Sequence, residues 1–187
     1  MDFPTDKYEI VYADPPWHYY GDKFKMGAAG KEYELLSPEE ISKFPVRSIM
    51  EKNSVLFLWA TCPKLHDAIS VISSWGLNYR GVAYVWVKTN KQGNIIHGQG
   101  VRPTLVKPTT ELLLCATPQK VGRPLPLLTE AQGQVVLSNR GKHSQKPEVF
   151  RNNIVDLLGE RKRIELFARE EHEGWDNWGD ESPKKNI

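Results

Sequence analysis

Cysteine is scarce in this chain. Two occur among 187 residues, Cys62 and Cys115, far apart and without the paired spacing of a zinc site or a redox CxxC. That excludes a disulfide framework, predicts reduced core thiols and points to a cytoplasmic setting. Net charge is equally slight: 25 Lys and Arg stand against 23 acids, a formal +2 that neither supports nor excludes a phosphate-rich partner. No apolar run approaches the length that spans a membrane, and the start Met1-Asp2-Phe3-Pro4 lacks the pattern of a secretory signal, so no membrane partner is expected. The 13 prolines and 14 glycines are too few for a disordered or collagenous chain. Also missing are the phosphate-loop pattern, GxGxxG, HExxH and the GxSxG elbow, which removes the common nucleotide-binding, metalloprotease and hydrolase readings.

What is present reads as a globular chain, 40% hydrophobic and 26% charged, of a length that suits a single domain over residues 1–187. Runs rich in β-branched and aromatic residues predict strands at Tyr8 to Ala13, Ser54 to Ala60, Tyr79 to Lys88, Glu111 to Thr117, Gln134 to Leu137 and Lys162 to Ala168. Several are apolar at nearly every position, as in Val55-Leu56-Phe57-Leu58-Trp59, which suits strands covered on both faces of a mostly parallel sheet. Ser37-Pro38-Glu39-Glu40 spells a capping box with proline at the first helical position. Leu65, Ala68, Ile69, Ile72 and Trp75 recur at helical spacing before Gly76, and Val149, Ile154, Leu157 and Leu158 do so before Gly159. Strands alternating with helices predict a three-layer α/β domain with right-handed crossovers.

One cluster carries chemistry. After the strand ending Val11-Tyr12-Ala13 comes Asp14-Pro15-Pro16-Trp17. Prolines end strands, so a plain strand-ending turn is one reading. The other is that a carboxylate and a rigid carbonyl are presented at the carboxyl end of a strand, where open α/β sheets bind ligands. The exocyclic amine of a nucleobase is a poor nucleophile because its lone pair is delocalised into the ring. An Asp14 oxygen and the Pro15 carbonyl can accept its two N–H bonds and draw the nitrogen toward tetrahedral geometry, while the fixed φ angles of Pro15 and Pro16 keep the acceptors from drifting. Trp17 or a nearby tyrosine can stack on the base. Methyl transfer then needs in-line positioning rather than a strong base or a metal.

These residues resemble the MT-A70 family of S-adenosylmethionine-dependent N6-adenine methyltransferases, in which DPPW marks the catalytic strand end. The likeness extends through Leu56-Phe57-Leu58-Trp59, Trp75-Gly76, Trp86-Val87-Lys88, His143-Ser144-Gln145-Lys146-Pro147, Glu165-Leu166-Phe167-Ala168-Arg169 and Gly174-Trp175-Asp176-Asn177-Trp178-Gly179, in the family's order. It covers Tyr8 to about Glu181. It implies a Rossmann-like methyltransferase fold in permuted order, with the catalytic motif first and the cofactor strand last. Asp14, Pro15, Pro16 and Trp17 would form the catalytic set. S-adenosylmethionine would meet Asp14, His143, Lys146, Phe167, Arg169, Glu170, Glu171, Asp180 and Glu181, with Lys146 and His143 beside its carboxylate and Arg169 on its ribose or methionine portion. The family's Gly-Asn-Glu appears here as Gly179-Asp180-Glu181, and its Tyr-Pro-Thr-Met stretch as Tyr33-Glu34-Leu35-Leu36.

The stretch from Thr89 to Thr110 has basic residues and no acid, which suits contact with backbone phosphate. Tyr19, Lys88, Lys91, His97, Arg102 and Lys107 are the candidate nucleic-acid residues, and Lys120, Arg123, Arg140 and Lys142 extend the same charge. An adenine inside a duplex cannot reach Asp14, so the base must be flipped out or single-stranded. A homodimer or partner subunit would supply sequence specificity. The expectation is therefore adenine-N6 methylation of DNA. Adenine-N6 methylation of RNA, cytosine-N4 methylation and a catalytically silent nucleic-acid-binding scaffold are the alternatives.

Overall fold

The computed structural model describes residues 2–18, 35–98, 105–141 and 145–179. Among them, strands β1 (Tyr8–Ala13), β2 (Met50–Thr61), β3 (Asn78–Thr89), β4 (Thr110–Thr117), β5 (Val135–Asn139), β6 (Arg163–Leu166) and β7 (Asp176–Trp178) form one sheet in the order β5-β3-β4-β2-β1-β6-β7. Every neighbouring pair is parallel except the two that involve β4, which runs antiparallel to both β2 and β3. The sheet is mostly parallel, as expected. β4 follows β3 in the chain and pairs with it directly, as an antiparallel neighbour can; among the described residues of the connection there is no helix.

Helix α1 (Pro38–Ile41) opens on the predicted capping box: Ser37 Oγ accepts from the Glu40 amide, and Glu40 accepts from the Ser37 amide. Helix α2 (Leu65–Ser74) and helix α3 (Val149–Leu158) match the two periodic segments. Gly159 ends α3 at φ +84°, a conformation that costs other residues strain.

The strands alternate, so each feeds two layers of core. Val11, Ala13, Leu56, Leu58 and Ala60 pack against α1, α2 and the 3-10 turn Val46–Ile49. Ile10, Tyr12, Phe57, Trp59, Tyr84 and Trp86 face α3 through Phe150, Ile154 and Leu158. The second layer is aromatic. Trp59 meets Tyr12, Trp86 and Phe150 edge-on at centroid distances of 6.3, 6.1 and 4.9 Å, each such contact adding about 0.5–1.5 kcal/mol beyond burial. A buried, bidentate Arg151–Glu165 pair at 2.7 and 2.9 Å locks α3 onto β6. Because α3 begins at the carboxyl ends of the parallel strands, this pair also fixes the segment that carries Lys146.

The last long strand stops earlier than its apolar pattern predicts. Phe167, expected inside a strand over Lys162 to Ala168, has φ +61° and turns the chain out of the sheet. Its ring packs on Phe44 and Trp178, which hold the turn in place. β7 has no strand signature of its own. It pairs with β6 from Ile164 to Leu166, and just beyond it Gly179 lies so close to Ala168 that a Cβ would stand 2.5 Å from the Ala168 carbonyl oxygen. Among the described residues, no helix is long and apolar enough to cross a membrane.

Candidate active site

The pocket lies at the carboxyl end of the parallel strands, where β1 is flanked by β2 on one side and β6 on the other. That is a topological switch point of the kind at which open α/β sheets bind ligands. Asp14, Pro15, Pro16, Trp17, Trp59, Ala60, Thr61, Glu111, Lys146 and Arg169 line it.

Strand alternation explains which side chains meet. On the face toward α3, Asp14 follows Tyr12, Thr61 follows Trp59, Lys88 follows Trp86, and Glu111 precedes Leu113 on the reversed β4. Each is one same-face step beyond the aromatic layer, so a polar rim stands on an apolar floor. Lys146, just before α3, closes over this rim. Its Nζ lies 2.6 Å from Asp14 Oδ2, 3.4 Å from Glu111 Oε2 and 5.4 Å from the centre of the Trp59 ring. Glu111 also pairs with Lys88 Nζ at 2.5 Å, and Lys88 lies over Trp86 at 5.0 Å. The result is a continuous chain Lys88–Glu111–Lys146–Asp14 with two charges of each sign. Burial alone pushes the Glu111 carboxyl up, but Lys146 and then Lys88 outweigh it and hold it below the usual carboxylate range. The pocket is half open to solvent, and the space left between these side chains is small, about 30 Å³. A larger cavity of about 460 Å³ between α3 and Trp175 contains none of the predicted site residues.

The Asp14 turn is pinned by backbone bonds. Asp14 N–H donates to Leu166 at 3.4 Å, Trp17 N–H to the Pro15 carbonyl at 2.8 Å, and Leu36 N–H to the Pro16 carbonyl at 2.8 Å. The Pro15 carbonyl retains one lone pair for a ligand. Trp17 departs from expectation as a stacking surface. Its ring is 3% exposed, and its indole N–H donates to the Trp59 carbonyl at 3.0 Å, so it braces the pocket wall. Trp59 in turn donates to Tyr12 Oη at 2.6 Å.

The predicted cofactor residues divide. Lys146 and Arg169 join Asp14 in the pocket, and Lys146 is buried rather than solvent-facing. Phe167 contributes a strand-end turn, while its ring belongs to the aromatic cluster with Phe44 and Trp178. Glu170 is exposed and accepts from Gln145 at 3.1 Å; Glu171 is exposed. His143, Asp180 and Glu181 lie outside the described residues.

Of the nucleic-acid candidates, Lys91, His97 and Lys107 are exposed, and Tyr19, Arg102 and Lys142 lie outside the described residues. Lys88 lies near the end of β3, within the strand expected over Tyr79 to Lys88, and its ammonium pairs with Glu111. Glu111 was missed as a site residue because its sequence signal, one acid opening an apolar strand, is common. Thr61 was missed for a similar reason. Its Oγ1 is buried with no hydrogen-bond partner among the described residues, a condition that costs about 1–3 kcal/mol.

Comparison with known proteins adds three findings. The family model described as MT-A70 matches residues 8–181. A type II methyltransferase, M.MunI of Mycoplasma sp, is 35% identical over 98% of this chain and 82% of its own length. The N(6)-adenine-specific methyltransferase METTL4 of Homo sapiens and the N6-methyladenosine RNA methyltransferase MTA1 of Pyricularia oryzae are each 26% identical over 93% of this chain, which spans 37% and 46% of their respective lengths.

Proposed function

The chain belongs to the MT-A70 family of N6-adenine methyltransferases, and from that premise we propose that it transfers a methyl group from S-adenosylmethionine to the N6 amine of adenine in DNA. The observation that carries this reading is the placement of Asp14 at the tip of β1, in one pocket with Lys146, Glu111 and Arg169. The likeness to M.MunI over most of both chains favours DNA as the substrate.

The donor fits the residues present. A polar pocket at a switch point, bounded by a carboxylate, an ammonium and a guanidinium, matches a zwitterionic amino-acid portion and ribose hydroxyls. Arg169 and Lys146 would hold it, with His143, Phe167, Glu170, Glu171, Asp180 and Glu181 as the remaining proposed contacts. When bound, S-adenosylmethionine supplies an electrophilic methyl group on a sulfonium.

The chain's own residues do the rest. A flipped or single-stranded adenine presents its amine to the Asp14 carboxylate and to the free lone pair of the Pro15 carbonyl, which orient the nitrogen lone pair. Lys146 holds Asp14 Oδ2, and the other carboxylate oxygen, Oδ1, can accept an N–H of the incoming amine. Glu111 Oε2, 3.4 Å from the same ammonium, gives Lys146 a second carboxylate partner. After transfer the amine nitrogen is cationic and acidic, and Asp14, hydrogen-bonded to it, takes up the proton. Lys91, His97 and Lys107 lie exposed for phosphate contact, and a second subunit would add recognition.

Incubation with labelled S-adenosylmethionine and a panel of single- and double-stranded DNA and RNA, followed by mass analysis of the nucleosides, tests this reading. N6-methyladenine in DNA is the expected product. N6-methyladenosine in RNA alone, N4-methylcytosine, or no product despite donor binding would overturn it.

A further inference from the structure

Thr61 ends β2 in extended conformation and sits opposite Glu111 in the antiparallel register of β2 and β4. Residues so paired project their side chains to the same face, so Thr61, which lines the pocket, stands on the side of Glu111 and Lys146. Its Oγ1 has neither solvent nor a hydrogen-bond partner among the described residues. Its neighbours show what is ordinarily done with such groups: the Cys62 thiol lies 3.4 Å from Thr110 Oγ1, the Thr117 hydroxyl donates to the Gln119 carbonyl at 2.7 Å, and the indole N–H groups of Trp17, Trp59, Trp75 and Trp86 all have partners. A buried hydroxyl left without a partner, on a residue that lines a polar pocket, is a group for which an arriving ligand can supply that partner.

Register says what that is. Ala13 pairs with Leu58 across the parallel β1 and β2, so Asp14 is level with Trp59. Thr61 stands two residues farther along, roughly 7 Å toward the mouth at the rise of a strand, on the same face. An amine held by Asp14 at the inner end therefore directs the ring edge beside it toward Thr61. In adenine the positions flanking the amine include the ring nitrogens N1 and N7, both acceptors without a hydrogen. Glu111, acceptor-only when ionised, cannot serve them. Thr61 carries the pocket's neutral hydroxyl donor.

Resting on the function proposed above, we propose that Thr61 is a base-reading residue: its hydroxyl donates to a ring nitrogen flanking the target amine and so helps select adenine and set its angle. This explains why a hydroxyl stays where the fold alone gains nothing from it. A valine fills the same volume without the unpaired oxygen, so the folded chain should tolerate Thr61→Val without loss of stability while recognition suffers.

The test uses the full chain and the oligonucleotide that the wild-type protein methylates. Thr61→Val is expected to keep or raise the melting temperature, to bind S-adenosylmethionine with unchanged affinity by calorimetry, and to lose about tenfold in kcat/KM, the worth of one neutral hydrogen bond. Thr61→Ser should recover most of the loss, and Thr61→Ala should behave like the valine variant if packing confuses that result. The same oligonucleotide carrying 7-deazaadenine or 1-deazaadenine at the target separates recognition from packing. Wild type should lose about tenfold more on one of the two than Thr61→Val does, because the variant has no bond left to lose. Wild-type turnover in Thr61→Val and Thr61→Ala, or equal deaza penalties in wild type and variant for both analogues, would overturn the proposal. A wild-type chain that methylates no nucleic acid would instead overturn the function on which it rests.

Discussion

Lys146 Nζ lies 2.6 Å from Asp14 Oδ2, joining residues 132 positions apart in sequence. The pair is largely buried, with side-chain exposures of 7% and 17%, so it senses a lower dielectric than a surface ion pair would. The bond engages one carboxylate oxygen, and Asp14 Oδ1 keeps its own acceptor sites.

Replacing Asp14 with Ala should abolish transfer while leaving binding of S-adenosylmethionine measurable. Asp14→Asn, which keeps the shape but loses an acceptor and the charge, should lower kcat by about 10²–10³-fold, the usual loss for one oriented group at a reacting centre. Single-turnover kinetics with calorimetry on the same samples checks both outcomes. Wild-type-like turnover in Asp14→Ala would remove the catalytic assignment.

Lys146→Met should strand Asp14 and Glu111 as neighbouring carboxylates without their shared cation. Combined with Asp14→Asn, it should show a coupling of about 0.5–3 kcal/mol in kcat/KM or in unfolding free energy, as expected of residues in one network. Additive effects would mean that the contact does no joint work.

Acid should weaken the fold partly through Glu111. Its carboxyl is held below the usual range in the folded chain, so the folded state binds fewer protons than the unfolded state near an ordinary glutamate pKa of about 4.3. The associated stability is complete above that value and is lost as pH falls through the lower, folded one. Glu111→Gln has no such proton to take up, so its melting temperature should fall less steeply on acidification below about pH 5. Thermal melts across that range compare the slopes.

Charge reversal at Lys91 or Lys107 should weaken binding to DNA of any sequence and reduce the slope of log K against log salt by about one per phosphate contact. Lys88→Ala should leave that slope unchanged and lower kcat instead, because its ammonium faces Glu111. Titrations at several salt concentrations distinguish a phosphate contact from a pocket brace.

Gly179→Ala should destabilise the chain by more than about 1 kcal/mol, since the added methyl meets backbone rather than a movable side chain. Loss of β7 pairing would follow, read as a drop in melting temperature of several degrees.

Much of this was legible in the sequence because it depends on neighbours along the chain. The capping box Ser37-x-x-Glu40, the apolar spacing of α2 and α3 and the strand that ends at Asp14-Pro15 are short-range patterns, and short-range sterics and hydrogen bonding decide them. The family likeness was legible for a related reason, since ordered motifs survive in one dimension. Phe167 was misplaced because its left-handed φ comes from the aromatic ring cluster around it, which no local propensity reports.

The partners of the site residues were a different matter. Nothing near Glu111 in sequence says that β4 runs backwards between β2 and β3, yet that reversal sets Glu111 opposite Thr61 and between two lysines. By itself, the amino-acid sequence determined most of the elements, though not β7 or the early end of β6, and the identity of the strand-end carboxylate. Tertiary structure decided which charges neutralise one another, which hydroxyl is left unpaired and which tryptophan is wall rather than platform, because those outcomes follow from strand order and register between segments far apart in the chain.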